Sequence, residues 1–245
     1  MQTNRFEHPL NEKVRIYLRL EYLIRQMTHA SQLSDQWQHQ IFFRALFDLL
    51  EILDQVQLKT ELAKDLEKQR CKLKNWLNID GVDQNALLEL LDSMDMAHHK
   101  LIAANRLGQD LRDDRFLSGI KQRFSIPGGS CCFDLPTLHH WLHLPLAHKQ
   151  NDLSTWLSQL TEMTDALNLW LRFTRESGPF QPQIARAGFF QHTAEDASLL
   201  RLQICPSYGV YPMISGHRGR FAIRFIPFEE GATIADTIEF KLAIC

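Results

Sequence analysis

The spacing of hydrophobic residues changes once along the chain, near residue 177. Before that point, apolar residues recur every three or four positions, which is the period of a helix with one buried side. After it, apolar and polar residues alternate, as they do in a strand with one buried face. The pattern predicts an α+β protein with a mostly helical domain over 1–176 and an antiparallel β-sheet domain over 177–245.

Seven helices are predicted in the first domain, over 12–27, 34–53, 57–77, 82–104, 110–124, 137–144 and 152–176. Asn11 is placed to cap the first turn of the first helix. The segment SIPGGSCCFDLP at 125–136 interrupts the helical pattern, because Pro127 and the two glycines after it mark a turn. A short strand is predicted near 130–135, inserted among the helices and available to the edge of the sheet.

Five strands are predicted in the second domain, over 183–191, 198–205, 211–215, 220–228 and 237–244. The segments between them are short and are polar or contain glycine. Short connections favour neighbouring antiparallel strands, so the expected sheet is an antiparallel meander.

The strand over 220–228 has two different faces. Alternation puts Phe221, Ile223 and Phe225 on an apolar face, and it puts arginines on the other face, namely Arg218, Arg220 and Arg224. A guanidinium group forms forked hydrogen bonds with carboxylates or phosphates. The alternative interpretation is an ordinary half-buried strand whose arginines are simply solvated.

Two other basic groups occur in the helical domain, Arg15 with Arg19 and Arg112 with Arg115. Each is expected to be solvated surface when it is considered alone. If the fold brings these groups and the strand arginines together with His139, they form a compact site for an anion. The spacing in the sequence does not decide whether they converge.

The composition restricts the function further. The formal net charge is −2, so the chain has no overall positive field of the kind that draws a protein to nucleic acid or to a membrane. Five cysteines, two of them adjacent, do not form a disulfide framework, and reduced thiols are expected. No signal peptide and no run of about 18 apolar residues is present, so we expect a soluble, cytoplasmic protein without membrane insertion.

The segment HHWLH raises the possibility of a metal site. His139 and His143 are four residues apart, a spacing that zinc enzymes use on helices. The glutamate of the zinc-protease motif is missing, and nothing specifies a third ligand. A metal-dependent hydrolase is therefore the weakest alternative, and packed or anion-facing histidines are the expected interpretation.

Three uncommon strings then give a specific resemblance. FEHPLNEKVRIYLRLEYLI near the start, SIPGGSCCFDLPTLHHWLHLP in the centre and ISGHRGRFAIRFIP near the end closely resemble the ZapD family. Members of this family are proteobacterial cell-division proteins that associate with the tubulin-like GTPase FtsZ. The resemblance extends over the whole chain.

The resemblance implies a non-enzymatic homodimer, with no cofactor and no bound metal, that acts at the midcell division site. It implies binding to the C-terminal tail of FtsZ and cross-linking of FtsZ protofilaments, which promotes Z-ring assembly. The family's binding residues correspond here to Arg15, Arg19, Arg115, His139, Arg220 and Arg224, with Arg112 and Arg218 as possible additions. One basic position of the family falls on Gln55 in this chain. The alternative function is a nucleic-acid-binding regulator that uses the same arginines, and the net charge of −2 argues against it.

Overall fold

The computed structural model of the chain describes residues 3–79, 81–217 and 219–245. Two compact units are present. One is mostly helical and comprises Arg19–Trp170, and the other combines Met1–Leu18 with Leu171–Cys245 and contains the β-sheet. The predicted α+β fold class is confirmed, with helices that precede a C-terminal antiparallel sheet.

The helices of the described residues are α1 (Glu12–Ser31), α2 (Gln36–Gln55), α3 (Leu58–Lys74), α4 (Gln84–Ala103), α5 (Gln109–Asp113), α6 (Arg115–Phe124), α7 (Pro136–Leu142), α8 (Leu146–Ser158) and α9 (Thr161–Glu176). Several of them begin at a side chain that accepts a backbone N–H. Asn11 caps α1 as predicted, with its Oδ1 2.9 Å from the backbone nitrogen of Val14. Asp35 accepts from the nitrogen of Trp37 at the start of α2.

The core of the helical unit is built around α2 and is rich in aromatic rings. Phe42 and Phe43 are fully buried on this helix. The ring of Phe43 lies 5.1 Å from that of Trp141 and 5.6 Å from that of Trp156, in edge-to-face arrangements. Such pairs are favoured over face-to-face stacking of two rings, so this cluster fixes α2 against α7 and α8.

Two predicted helices are each broken into two. The helix expected over 110–124 ends at α5 and restarts as α6, because Asp114 leaves the helical conformation and its carboxylate caps the new helix. The helix expected over 152–176 is also divided. A hydrogen bond from Leu160 N–H to the carbonyl of Leu157, at 3.0 Å, closes a tight turn between α8 and α9. No glycine or proline marks either break, so the hydrophobic period alone could not show them.

The strand predicted near 130–135 is absent, and this prediction was wrong. The backbone over 127–134 forms consecutive turns. The N–H of Cys131 donates to the carbonyl of Gly128 at 3.2 Å, and the N–H of Asp134 donates to the carbonyl of Cys131 at 3.2 Å. These backbone groups therefore bond within the segment instead of pairing with a strand, and Pro136 starts α7 directly afterwards.

The sheet contains seven strands in the described part of the chain: β1 (Asn4–Pro9), β2 (Gln181–Arg186), β3 (Phe189–Thr193), β4 (Leu199–Ile204), β5 (Val210–His217), β6 (Arg220–Pro227) and β7 (Thr237–Ile244). Their order is β1-β4-β7-β2-β3-β6-β5, and every neighbouring pair is antiparallel. The antiparallel prediction is confirmed, but the simple meander is wrong. Among the described strands, only β2 with β3 and β5 with β6 are sequential neighbours. The edge strand β1 was not predicted at all.

The single strand predicted over 183–191 is a hairpin of β2 and β3. Ala187 and Gly188 form its two-residue turn, with φ of +46° and +72°. Positive φ at both central residues is the type I′ geometry that matches the twist of a hairpin. Glycine adopts this conformation readily, whereas alanine rarely does, so Ala-Gly gave little warning of a turn.

One face of the sheet forms its own apolar core. The face assignment of β6 is confirmed, because Phe221, Ile223 and Phe225 are buried while Arg220 and Arg224 are exposed. The core also takes in residues of the other strands, including Leu200, Leu202, Ile204, Ile238, Phe240 and Leu242. A Cβ added to Gly216 in β5 would lie 3.4 Å from Cδ2 of Leu10, which follows β1. The two edge strands therefore approach each other at this point, and the sheet curls around its apolar face.

Candidate partner-binding surfaces

The predicted binding residues lie in both compact units. Arg15, Arg220 and Arg224 belong to the unit that contains the sheet, and Arg19, Arg115 and His139 belong to the helical unit.

The outer face of the sheet around β6 is an ordered ladder of side chains. Directly paired residues of neighbouring strands project from the same face. Arg220 pairs with Thr193 of β3, and Ala222 pairs with Gln191 of β3 and Ser215 of β5. Arg224 pairs with Phe189 of β3 and Met213 of β5. Arg220 and Arg224 therefore lie on one face about 13 Å apart, with the small side chain of Ala222 between them.

Both strand arginines are free of an acidic partner among the described residues. Within the part of the chain that the structure describes, no carboxylate oxygen lies within 4.0 Å of either guanidinium group. Glu195 is near the backbone of Gly219, 3.6 Å from the position of an added Cβ, but it forms no ion pair with Arg220. The third arginine of this group, Arg218, lies outside the described residues. Arg220 and Arg224 thus present uncompensated positive charge on a fixed strand.

Arg15 and Arg19 are four residues apart on α1, so both lie on the same side of this helix. Arg15 is partly neutralised by Glu12, with Nε 3.0 Å from Oε2. Arg19 is exposed and has no ion-pair partner in the part of the chain that the structure describes. Burial, together with the positive charge of Arg15, lowers the pKa of His8 on β1. His8 therefore lies within the field of Arg15, a neighbour that sequence reasoning missed because β1 gave no recognisable strand pattern.

Arg115 is the first residue of α6 and is exposed. The residue before it fixes its position. Asp114 accepts the N–H of Leu117 through Oδ1 at 2.9 Å and the indole N–H of Trp156 through Oδ2 at 3.1 Å. One carboxylate thus caps the helix and ties its start to the aromatic core, so Arg115 projects from a rigid backbone.

His139 lies on α7, the helix that packs next to α6. Phe116, adjacent to Arg115, has its ring 5.8 Å from that of Trp141 on α7 and stacks parallel to Trp156 at 5.8 Å. His139 is exposed, and its ring centre is 4.4 Å from that of His143. These contacts place Arg115 and His139 on neighbouring helices that share one aromatic core.

Arg112 has a structural role. One of its nitrogens, Nη2, lies 2.8 Å from Oδ1 of Asp54, and Nη1 donates to the carbonyl of Leu107 at 2.8 Å. Its side chain is only 16% exposed. Arg112 holds the segment before α5 against the end of α2, so we do not include it in the binding surface. Gln55 is the exposed last residue of α2.

Among the described residues, His139 and His143 do not belong to a larger set of metal-ligating side chains. Nδ1 of His143 lies 2.7 Å from the carbonyl oxygen of His139, so this nitrogen carries the proton and faces the backbone. Over residues 3–79, 81–217 and 219–245, no group of three or more His, Cys, Asp or Glu residues is placed to hold a metal ion.

Exposed apolar residues next to the strand arginines were also missed by sequence reasoning. Met213 is 56% exposed, Phe189 43% and Tyr211 39%. The alternating pattern of YPMIS could have placed Tyr211 and Met213 on one face. It could not show that this face lies beside Arg224, because that depends on the register between β5 and β6.

In the described residues, no helix is both long enough and apolar enough to cross a membrane.

Comparison with known proteins decides the family. The family model for ZapD, described as a cell division protein, matches residues 18–224. The chain belongs to the ZapD family. A ZapD from Vibrio parahaemolyticus is 59% identical over 245 residues, which is 100% of both chains. A ZapD from Vibrio cholerae is 57% identical over the same full length, and one from Aliivibrio fischeri is 54% identical over 241 residues, 98% of this chain and 97% of the relative.

Membership of the ZapD family gives this chain a role in cell division. The relatives are each named as a cell division protein, and the similarity extends over the whole chain. Arg220 and Arg224, and the helices that carry Arg115 and His139, lie within the residues matched by the ZapD model.

Proposed function

We propose that this protein is a non-enzymatic accessory factor of cell division that binds the C-terminal tail of FtsZ. In this proposal the protein acts in the cytoplasm at midcell, as a homodimer, and cross-links FtsZ protofilaments to promote assembly and stability of the Z-ring. The binding residues are Arg15, Arg19, Arg115, His139, Arg220 and Arg224. Its partner is a protein tail, without nucleic acid or membrane insertion.

The observation that carries the proposal is the pair Arg220 and Arg224. Both are exposed on one face of a rigid strand, and neither has a carboxylate within 4.0 Å among the described residues. Surface arginines that are not committed to an internal ion pair are free to bind a carboxylate of a partner. The net charge of −2 is compatible with this role, since the binding surface needs only local positive potential.

Cross-linking follows from symmetry if the protein is a dimer. A two-fold dimer presents every binding residue twice and can therefore hold two tails at once. A single tail can bind weakly, because a polymer supplies many tails and linkage raises the overall affinity by about 10²–10⁴ when the geometry allows it. The binding is expected to weaken with salt, since exposed charges more than about 10 Å apart are largely screened at about 0.1 M.

Co-sedimentation with polymerised FtsZ tests the proposal. The protein should pellet with full-length FtsZ filaments and stay in the supernatant with filaments that lack the C-terminal tail. Equal pelleting with both kinds of filament would refute tail binding. A mobility-shift assay at low salt and an elemental analysis for zinc check the two alternative functions, the nucleic-acid-binding regulator and the metal-dependent hydrolase.

A further inference from the structure

An apolar strip continues from Arg224 across the outer face of the sheet. Phe189 and Met213 flank Arg224 on the neighbouring strands, and Tyr211 pairs with Ile226 one step further along β6. Phe228 follows the end of β6, is 82% exposed and donates its N–H to the carbonyl of Gly209 at 2.8 Å. We call these five residues, Phe189, Tyr211, Met213, Ile226 and Phe228, the apolar strip.

The strip is contiguous, and this distinguishes it from scattered exposed hydrophobics. A single exposed apolar side chain is ordinary on a protein surface and needs no explanation. Here the register brings four of the five side chains together on adjacent strands, next to an arginine without an acidic partner among the described residues. An apolar surface rimmed by polar groups is typical of an interaction site.

The two ends of β6 differ in the polarity of the side chains around them, and this difference indicates the kind of partner that fits. The end of β6 near Arg220 is bordered by small or polar side chains, those of Thr193, Gln191, Ala222 and Ser215, whereas the end near Ile226 is apolar. From Arg220 to Ile226 the strand extends about 20 Å, which is the length of about six residues of an extended peptide. A complementary segment carries carboxylates at one end and apolar side chains a few residues away.

We propose that the apolar strip is a second part of the binding surface, and that it takes apolar side chains of an extended, acidic segment whose carboxylates bind Arg220 and Arg224. This inference rests on the proposed function and specifies its partner chemistry, with the tail of FtsZ as the occupant. Arg224 lies at the junction and contacts both parts of the segment. Met213 and Phe189 are specificity-determining residues, because they distinguish a mixed acidic and apolar segment from a purely acidic one.

The two parts of the surface respond differently to salt. Charge–charge attraction is screened as the Debye length falls from about 10 Å at 0.1 M salt to about 3 Å at 1 M. Apolar contact is not screened in this way. Replacement of an apolar residue should therefore weaken binding by a similar factor at every salt concentration, while replacement of an arginine should weaken binding mainly at low salt.

The test is the fluorescence anisotropy of a labelled synthetic peptide of the FtsZ C-terminal tail, measured with the full chain over a salt series. Met213→Thr and Phe189→Thr should each raise Kd about five- to tenfold, which corresponds to about 1–1.4 kcal/mol, with an unchanged slope of log Kd against log salt. Arg224→Gln should raise Kd at low salt and reduce the slope. Met96→Gln, at an exposed methionine on α4, is the matched control and should leave Kd unchanged.

The outcomes separate this inference from the proposed function. If the peptide does not bind the wild-type protein at low salt, the proposed function fails. If the peptide binds and Arg224→Gln weakens it, but Met213→Thr and Phe189→Thr do not, the apolar strip plays no part and only this inference fails. If these two strip variants leave Kd unchanged but reduce self-association in sedimentation equilibrium, the strip is an interface between copies and the inference is again wrong.

Discussion

Arg224 of β6 and Met213 of β5 are direct cross-strand neighbours, and both side chains are exposed on the outer face of the sheet. The pair joins a cation without a carboxylate neighbour among the described residues to an apolar surface. The outer face of β6 is therefore available to a partner, while the opposite face of β6 forms the core of the sheet.

Charge reversal at Arg220 and Arg224 should abolish bundling of FtsZ filaments. The double variant Arg220→Glu/Arg224→Glu replaces attraction of a carboxylate by repulsion, so the Kd for the tail peptide should rise by more than about tenfold. Both side chains are exposed, and the melting temperature should stay close to that of the wild type. Light scattering of FtsZ filaments and thermal unfolding measure the two effects.

The matched control for this variant is Lys241→Glu. Lys241 is an exposed cation on β7 in the same sheet, three strands away from β6. Bundling should be retained in this variant. Unchanged bundling in the arginine double variant, or its loss in the Lys241 variant, would show that Arg220 and Arg224 are not the specific contacts.

Truncation of Phe225 should destabilise the protein strongly. Phe225 is fully buried, and its ring lies 5.2 Å from that of Phe240 in the core of the sheet. Phe225→Ala should reduce the free energy of unfolding by about 3–5 kcal/mol through lost burial and the resulting cavity. Phe228→Ala, only three residues away and 82% exposed, should change it by less than about 0.5 kcal/mol. Denaturant unfolding of both variants is the measurement, and similar values for the two would mean that the faces of β6 are assigned incorrectly.

Asp114 should affect both stability and binding. Asp114→Ala removes the cap of α6 and the acceptor for the indole N–H of Trp156. The lost cap costs about 0.5–2 kcal/mol, and the unpaired indole adds to this. Since Asp114 fixes the start of α6, the variant should also raise the Kd of the tail peptide through Arg115. Asp113→Ala, at an exposed site, should change neither the stability nor the Kd. An Asp114→Ala protein with wild-type stability would contradict the role assigned to the Asp114 carboxylate.

The stability of the fold should fall on mild acidification because of His39. This side chain is fully buried, and neither ring nitrogen has a hydrogen-bond partner of normal geometry among the described residues. Burial, followed by the positive charge of Lys149, lowers the pKa of His39 below its ordinary value of 6.5, while the carbonyl of Leu33 and the carboxylate of Asp35 act in the opposite direction. In the unfolded chain His39 is therefore protonated near pH 6.5, whereas in the folded protein it is protonated only at lower pH. The free energy of unfolding decreases as the pH falls below about 6.5.

This effect is tested by measuring the free energy of unfolding between about pH 7.5 and 5. One histidine contributes a slope of at most about 1.4 kcal/mol per pH unit to the plot of this free energy against pH. His39→Gln should reduce the slope. Some slope should persist in the His39 variant, because burial and Arg15 also lower the pKa of His8. An identical slope in the wild type and in His39→Gln would exclude His39 as a source.

The sequence predicted the features that depend on local pattern. The alternation over 220–228 assigned Phe221 and Arg224 to opposite faces, and Asn11 was recognised as the cap of α1; both are confirmed. The resemblance named the ZapD family, which the family model and the relatives confirm. The placement of the six binding residues in one site stays a prediction.

Features that depend on long-range pairing could not be predicted. The pairing of β1 with β4 joins segments almost 200 residues apart, and nothing in the pattern of Asn4–Pro9 specifies that partner. The β-compatible composition of 130–135 was overridden by consecutive turns that include Gly128, whose φ is +74°. The break occurs at Asp114, whose carboxylate caps α6 and also accepts the indole N–H of Trp156 from a distant part of the chain. Each of these outcomes is decided by tertiary contacts rather than by the hydrophobic period or by secondary-structure propensity.

A dimer that holds two tails is recognised by the stoichiometry of tail binding. Sedimentation of the full chain with a labelled FtsZ tail peptide, at protein concentrations well above the Kd of the peptide, measures the mass of the protein species and the number of peptides bound to it. We expect a species of two chains that binds two peptides, and an Arg220→Glu/Arg224→Glu protein that has the same mass but binds none. A single chain with one peptide, or a dimer that binds one peptide in total, would contradict cross-linking by this mechanism.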